Sequence, residues 1–382
     1  MKEVTTLRTQ ISHARRIVVK VGSRVLIQRT GRPDLPRMRA LVDDLADLRQ
    51  EGRDVVLVSS GAIGVGIEAL GMRTRPTRVP DLQMAAAVGQ FRLMGKYGAL
   101  FARHRCTVGQ ILLTHDDLRN RTRHLNARNT MMNLLRNGII PIVNENDVVA
   151  TDEIKFGDND QLASLVAMLI DADLLILLST VDGVRKPIKG GRTRRISYMA
   201  SVTRDIEQLV HGKGSMFSTG GMASKLESAR QAAGLGVPAV IANGRKSGII
   251  TQIMAGRDVG TLLGGAATGA EEKRGRKRWI AFFNKPEGTL VVDDGACDAL
   301  LKKGRSLLPI GVRKVEGTFE AGAVVNIRSM DGAIIARGLS EFSSQDARQI
   351  AGRKTSEIKT ILGRVDDDEI VHRDQMSLLG HA

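Results

Sequence analysis

IVVKVGS, Ile17–Ser23, is a short apolar run holding one lysine and stopped by a glycine and a hydroxyl residue. Its apolar positions do not alternate with polar ones, which is the pattern of a strand buried on both faces. Leu35–Gln50 then shows helical spacing, Val55–Val58 is a second apolar run, and SSGAIGVG leads into another helical segment. The alternation continues with a helix over Asp81–His104, a strand over Thr107–Leu113, a helix over Leu125–Arg136 and a strand over Ile139–Val143. Leu174–Leu178 and Ala239–Ala242 read as further strands, the second preceded by a helix over Met222–Ala233. Apolar strands separated by helices predict an α/β fold, a three-layer sandwich with a mainly parallel sheet, over roughly the first 260 residues.

The composition then shifts. Glycine-rich TLLGGAATG leads into EEKRGRKRW, Glu271–Trp279, whose five basic residues in nine predict an exposed linker. From Ile280 to Gly363 the segments are shorter and more β-like: TLVVD, AVVNIRS, then AIIARGL after the turn signal Asp331-Gly332. The expected division is a first domain over 1–267, a basic linker over 268–278 and a small β-rich domain with a C-terminal tail over 279–382.

A length of 382 residues fits two domains or slightly more at about 150 residues each. Apolar content of 42% and charged content of 26% are those of an ordinary folded protein. The two cysteines, Cys106 and Cys297, stand too far apart in sequence to suggest a disulfide framework or a thiolate metal site, which fits a reducing compartment. MKEVTTLRTQISHARR lacks the apolar core of a signal peptide, and nowhere do about 18 apolar residues run together. The expectation is a soluble cytoplasmic protein without a membrane partner. A formal charge of +16 points to polyanionic partners, either nucleic acid or phosphorylated small molecules. Much of that charge is scattered arginine, as at Arg119, Arg121, Arg123 and Arg128, which reads equally as a solvated face.

Several strand ends carry glycine with hydroxyl or carboxamide groups: Lys20-Val-Gly22-Ser23, Ser59-Ser60-Gly61-Ala62, Asn144-Glu-Asn146-Asp147 and Ser179-Thr180-Val-Asp182-Gly183. In open α/β sheets ligands bind beyond the carboxyl ends of strands, where glycine admits a phosphate to the backbone N–H groups. Thr151–Ile170, TDEIKFGDNDQLASLVAMLI, sets Asp158, Asn159 and Asp160 just before an apolar helix. Capping of the helix N-terminus explains such residues without any catalytic role. Ser218–Lys225, STGGMASK, resembles a phosphate cradle but is not a Walker A loop, and Gly-x-Gly-x-x-Gly does not follow the first strand. Dinucleotide binding is therefore disfavoured.

Taken in order, VKVGS, VSSGAIGVG, AAVGQ, LLT, LNARNT, IPIVNENDVVAT, IKFGDNDQLAS, STGGMASK and GTLL resemble the amino acid kinase family, and within it the glutamate-phosphorylating branch. That likeness runs from about Ile17 to Leu263. KRWI, DDGA, KKGRSLLPIGV, EGTFEAGAVVNI, GLS and VHRDQM resemble the PUA domain that bacterial members of the branch carry. The resemblance implies ATP-dependent phosphorylation of the L-glutamate side-chain carboxylate to L-glutamyl 5-phosphate, the first step of proline biosynthesis. Mg²⁺ would arrive with the nucleotide, with no protein metal site implied. A free glutamate side chain has a pKa near 4.3, so the nucleophile is already ionised at neutral pH and requires no general base.

By the same resemblance, Lys20 and Lys225 would hold ATP phosphate from two sides, and Asp160 would sit between their ammonium groups. Ser60, Asp147 and Asn159 would bind glutamate, with Asp147 on the α-ammonium. Gly22, Ser179, Thr180, Thr219, Gly220, Gly221 and Met222 would line the nucleotide alongside Lys20 and Lys225. Asp160→Ala is expected to impair turnover more than stability. Homo-oligomers, dimer or tetramer, and inhibition by L-proline are also implied. Three positions depart from the family pattern. Arg24 stands where a second hydroxyl is usual, and points outward or adds a phosphate contact; Thr180 is not followed by aspartate, and Arg185 lies where tyrosine is frequent. The alternatives are a kinase for N-acetylglutamate or aspartate, and an RNA-binding protein acting through the PUA domain.

Overall fold

Arg16–Val21 forms β1, a strand whose residues after Arg16 are all buried. The computed structural model describes residues 2–28, 32–149, 159–188, 192–200, 221–234, 236–264, 286–363 and 368–379. The expected linker over 268–278, Trp279, Asp158, Thr219 and Gly220 lie outside the described residues. The chain divides into two compact units, Met1–Thr268 and Gly269–Ala382.

In the first unit β1 is followed by β2 (Asp54–Ser59), β3 (Val108–Leu113), β4 (Ile140–Glu145) and β5 (Leu174–Ser179). Beyond them come a small antiparallel hairpin, β6 (Arg185–Pro187) with β7 (Thr193–Arg195), and then β8 (Tyr198–Met199), β9 (Ala239–Asn243) and β10 (Thr261–Leu263). Among the described residues eight of these strands form one sheet in the order β3-β4-β2-β1-β5-β9-β10-β8. From β3 to β9 every pairing is parallel, with β1 between β2 and β5 so that Lys20 lies beside Val58 and Leu177. The strand ends Val21, Ser59, Glu145 and Ser179 therefore share one edge of the sheet. That edge carries the glycine and hydroxyl loops.

The sheet is not parallel throughout, because β10 pairs antiparallel with β9. The helix between them, Ile249–Met254, has six residues and rises only about 9 Å.

The helices of this unit begin with α1 (Lys2–Ser12), α2 (Ser23–Leu26), α3 (Leu35–Gln50), α4 (Ala62–Ala69) and α5 (Val79–Ala102). Asp34 caps α3 by accepting from the Arg37 N–H, and Pro36 stands in its first turn. Met38, Leu41, Val42, Leu45 and Leu48 then bury one stripe of that helix at helical spacing. α4 and α5 pack backbone to backbone: a Cβ added at Gly66 would stand 1.7 Å from the Ala85 carbonyl oxygen. The core is aliphatic, built from residues such as Ile17, Val19, Leu57, Ile142 and Ile176, with Tyr97 and Phe101 as its aromatic members.

The second unit holds a five-stranded sheet in the order β12-β11-β13-β14-β15. Its strands are β11 (Gly288–Val292), β12 (Val312–Gly317), β13 (Val324–Ser329), β14 (Ile334–Leu339) and β15 (Met376–Leu378). β13 and β14 form a hairpin across Asp331-Gly332, where Gly332 takes φ +96° and the Asp331 carboxylate accepts from the Ala333 N–H. This unit has its own core around Leu290, Ile327 and Ile350.

Candidate active site

Lys20 points from the end of β1 into the interior and is only 3% exposed. A buried ammonium is costly unless paired. Its partner is Asp160, fully buried in the first turn of the helix Asn159–Leu169, with Lys20 Nζ 2.5 Å from Asp160 Oδ1. The other carboxylate oxygen, Oδ2, accepts from Lys225 Nζ at 2.7 Å. Lys225 belongs to the helix Gly221–Gly234 and also donates to the Gly221 carbonyl at 3.1 Å. One carboxylate thus holds two cations from different parts of the chain at the sheet edge. The triad carries a net positive charge, a ready counter to a phosphate.

The neighbouring residue, Asn159, serves a different purpose. Its amide nitrogen donates to the Ser59 carbonyl at 2.7 Å and to Asn144 Oδ1 at 2.6 Å. A carbonyl can only accept, so the Ser59 contact fixes which end of the amide is nitrogen, and the remaining oxygen is an acceptor. Asn144 in turn donates to Gln90 Oε1 at 2.8 Å, and Ser59 Oγ lies 2.9 Å from the Tyr97 hydroxyl. This buried network locks the strand ends of β2 and β4 against α5 and the helix Asn159–Leu169.

Beside it opens a cavity of ≈250 Å³ whose lining includes Ser23, Ser60, Arg75, Glu145, Asp147 and Asn159. Ser60 is 7% exposed and its hydroxyl has no hydrogen-bond partner among the described residues. Gly61 follows with φ +110°, a left-handed turn that starts α4 without a side-chain cap. Asp147 is half-buried, and burial pushes its carboxyl up to about 6 although Arg75 pulls the other way. An ammonium ligand would offset that burial.

A second cavity, ≈460 Å³, is lined by Arg24, Gln28, Thr180 and Arg245 among others. Arg24 is exposed and borders both cavities. Ser179 ends β5 and accepts from the Gly244 N–H. Met222 is buried in the first turn of the helix Gly221–Gly234. Arg185 is occupied elsewhere, donating to the side chain and carbonyl of Thr193 within the small hairpin. Asp182, near the same edge, bonds Lys246 and Asn243, which hold its carboxyl below the usual range.

The structure thus brings Lys20, Asp160 and Lys225 together, and gathers Ser60, Asp147 and Asn159 around one cavity. Sequence reasoning missed Arg75, Gln90 and Tyr97, and named Asn144 only as part of a strand-end loop. Asn144 and Gln90 stand within the motifs NEND and AAVGQ, but only the fold shows that they support Asn159.

The model of the amino acid kinase family matches residues 15–243, well over half of the chain. The chain belongs to the amino acid kinase family. A PUA domain matches residues 288–362. Glutamate 5-kinase of Trichlorobacter lovleyi is 45% identical over 98% of this chain and 100% of its own length. Those of Moorella thermoacetica and Pelobacter propionicus are 45% and 46% identical over 98% and 96% of this chain, and each is covered to 98%. Among the described residues no helix is long and apolar enough to cross a membrane.

Proposed function

We propose that this chain transfers the γ-phosphoryl group of ATP to the side-chain carboxylate of L-glutamate, giving L-glutamyl 5-phosphate for proline biosynthesis. The observation that carries the reading is the Lys20–Asp160–Lys225 triad standing beside a cavity that holds Ser60, Asp147 and Asn159. Relatives named glutamate 5-kinase match it along nearly the whole chain.

The chemistry is chiefly a problem of charge. An ionised carboxylate must approach an anionic phosphoryl group, so catalysis consists of positioning and electrostatic compensation. Lys20 and Lys225 supply two ammonium groups held by Asp160, and the uncapped N-terminus of α4 adds backbone N–H donors at the cavity. The low exposure of the triad strengthens those interactions relative to water. Asp147 takes the α-ammonium of glutamate, with Asn159 Oδ1 as a further acceptor and Ser60 as a hydroxyl partner. Gly22, Ser179, Thr180 and the segment Thr219–Met222 line the nucleotide with Lys20 and Lys225.

Among the described residues no group of three or more His, Cys, Asp or Glu could form a metal cage, and both oxygens of Asp160 face lysines. A Mg²⁺ brought on the phosphates needs no such cage. In this reading the ion is held by the nucleotide.

The test is ADP release by the purified chain with glutamate, N-acetylglutamate or aspartate. Release dependent on glutamate is expected, and a flat response to it would refute the reading. The family resemblance further suggests homo-oligomers and inhibition by L-proline, and the composition suggests a cytoplasmic location and boundaries at 1–267 and 279–382. Size-exclusion chromatography, assays with added proline, fractionation and limited proteolysis check these in turn. RNA binding by the PUA domain is the second reading, suggested by the +16 charge, and a salt titration of RNA affinity decides it.

A further inference from the structure

Arg75 belongs to none of the ordered motifs, yet the fold sets it on the ≈250 Å³ cavity. It lies in the loop between α4 and α5, immediately before Pro76. A following proline disfavours helical geometry and narrows the backbone freedom of Arg75. Two arginines reach this cavity, Arg24 and Arg75. Arg24 also borders the ≈460 Å³ cavity together with Thr180 and Arg245, which places it on the nucleotide side. Arg75 does not line that second cavity.

Asp147 lines the same cavity as Arg75, close enough for the guanidinium to act on its carboxyl. Burial outweighs that influence, so the two charges do not simply satisfy each other. Nearby, the buried Ser60 hydroxyl lacks a partner among the described residues and faces the same space. An α-amino acid carries an ammonium and a carboxylate on one carbon. An acid and a guanidinium lining one small cavity match that pair of charges.

We propose that Arg75 is a specificity-determining residue that binds the α-carboxylate of the substrate while Asp147 holds its α-ammonium. Guanidinium donors suit a carboxylate in bidentate fashion, and the charge makes these bonds stronger than neutral ones. The pair selects amino acids whose α-ammonium and α-carboxylate are both free. This inference rests on the glutamate-kinase reading above.

L-isoglutamine, in which an amide replaces the α-carboxylate, keeps the α-ammonium and the side-chain carboxylate and so isolates the contact. kcat/KM for glutamate and for isoglutamine is measured in the unmodified chain and in Arg75→Ala, Arg75→Lys and Arg24→Ala. The unmodified chain is expected to prefer glutamate by about 10- to 100-fold. Arg75→Ala should lose most of that preference through a higher KM for glutamate, with KM for ATP within about twofold. Arg75→Lys should fall between, and Arg24→Ala should retain the preference. Arg75 is exposed, so its replacement spares the core. An unchanged preference in Arg75→Ala, no preference in the unmodified chain, or a shift in KM for ATP instead would overturn the proposal alone. No glutamate-dependent turnover in the unmodified chain would overturn the functional reading, and this proposal with it.

Discussion

Lys225 Nζ lies 2.7 Å from Asp160 Oδ2 although the two residues are 65 positions apart in the chain. The bond joins the N-terminal ends of two helices, and Lys20 completes it from β1. Helix capping alone does not account for a carboxylate used in this way. Replacing it strands two ammonium groups that are almost wholly buried.

Asp160→Ala should therefore cost stability as well as turnover, more than the sequence alone suggests. Loss of one partner from a buried ion pair costs about 3–5 kcal/mol. In the proposed function a bound nucleotide would return anionic oxygens to the two lysines. ATP should then raise the melting temperature of Asp160→Ala more than that of the unmodified chain, as read by differential scanning fluorimetry. An equal shift in both proteins would remove the lysines from the phosphate site.

Lys20→Met and Lys225→Met each remove one cation and leave Asp160 paired with the other. Both should fold, and each should lower kcat by about 10²- to 10³-fold, the usual cost of losing one electrostatic contact in a transition state. Methionine preserves most of the apolar stem, so packing changes little. Steady-state kinetics and a circular dichroism melt separate the two effects. A near-normal kcat in either variant would contradict the roles given to these lysines.

How much of this was legible in the sequence depends on distance along the chain. IVVKV reads as a strand because burial on both faces leaves an unbroken apolar run, and β1 is indeed covered on both sides. β10 was harder: three residues, TLL, carry no signal of direction, and only the fold shows its antiparallel pairing with β9. At the site, Lys20, Asp160 and Lys225 were legible only through ordered motifs, since no periodicity links residues that the topology brings together. Arg75 was not legible at all. It is one of three arginines in the loop Gly71–Arg78, and only the cavity distinguishes it from Arg73 and Arg78.

The pH dependence should follow Asp147. Burial holds its carboxyl at about 6, and only the ionised form can receive an ammonium. Below that value kcat/KM for glutamate should fall about tenfold per pH unit, while KM for ATP changes little. Asp147→Asn should be slow and should lose this inflection. The sign for stability is opposite. A carboxyl whose pKa is raised by folding binds its proton more tightly in the folded chain. The ligand-free protein therefore loses stability as pH rises from about 4 through about 6, by at most about 3 kcal/mol. Asp147→Asn should consequently melt higher than the unmodified chain at pH 8 without substrate, and gain less from added glutamate.

Two glycines of α4 and α5 separate packing from propensity. A Cβ at Gly66 would meet the Ala85 carbonyl oxygen at 1.7 Å, a backbone atom that cannot rotate away. Gly66→Ala must push α4 from α5, at a cost of about 1–3 kcal/mol or more, as for other overpacked interiors. Gly61, Ala62 and Ile63 line the cavity at the start of α4, so the same displacement should raise KM for glutamate. Gly95, on α5 itself, has nothing within 4 Å of an added Cβ. Gly95→Ala should stabilise the chain by about 0.5–1 kcal/mol through helix propensity, with kinetics unchanged. Thermal melts of the two variants, each with a glutamate titration, check both halves. A loss of glutamate affinity in Gly95→Ala would mean that α5 transmits strain to the cavity through something other than its contact with α4.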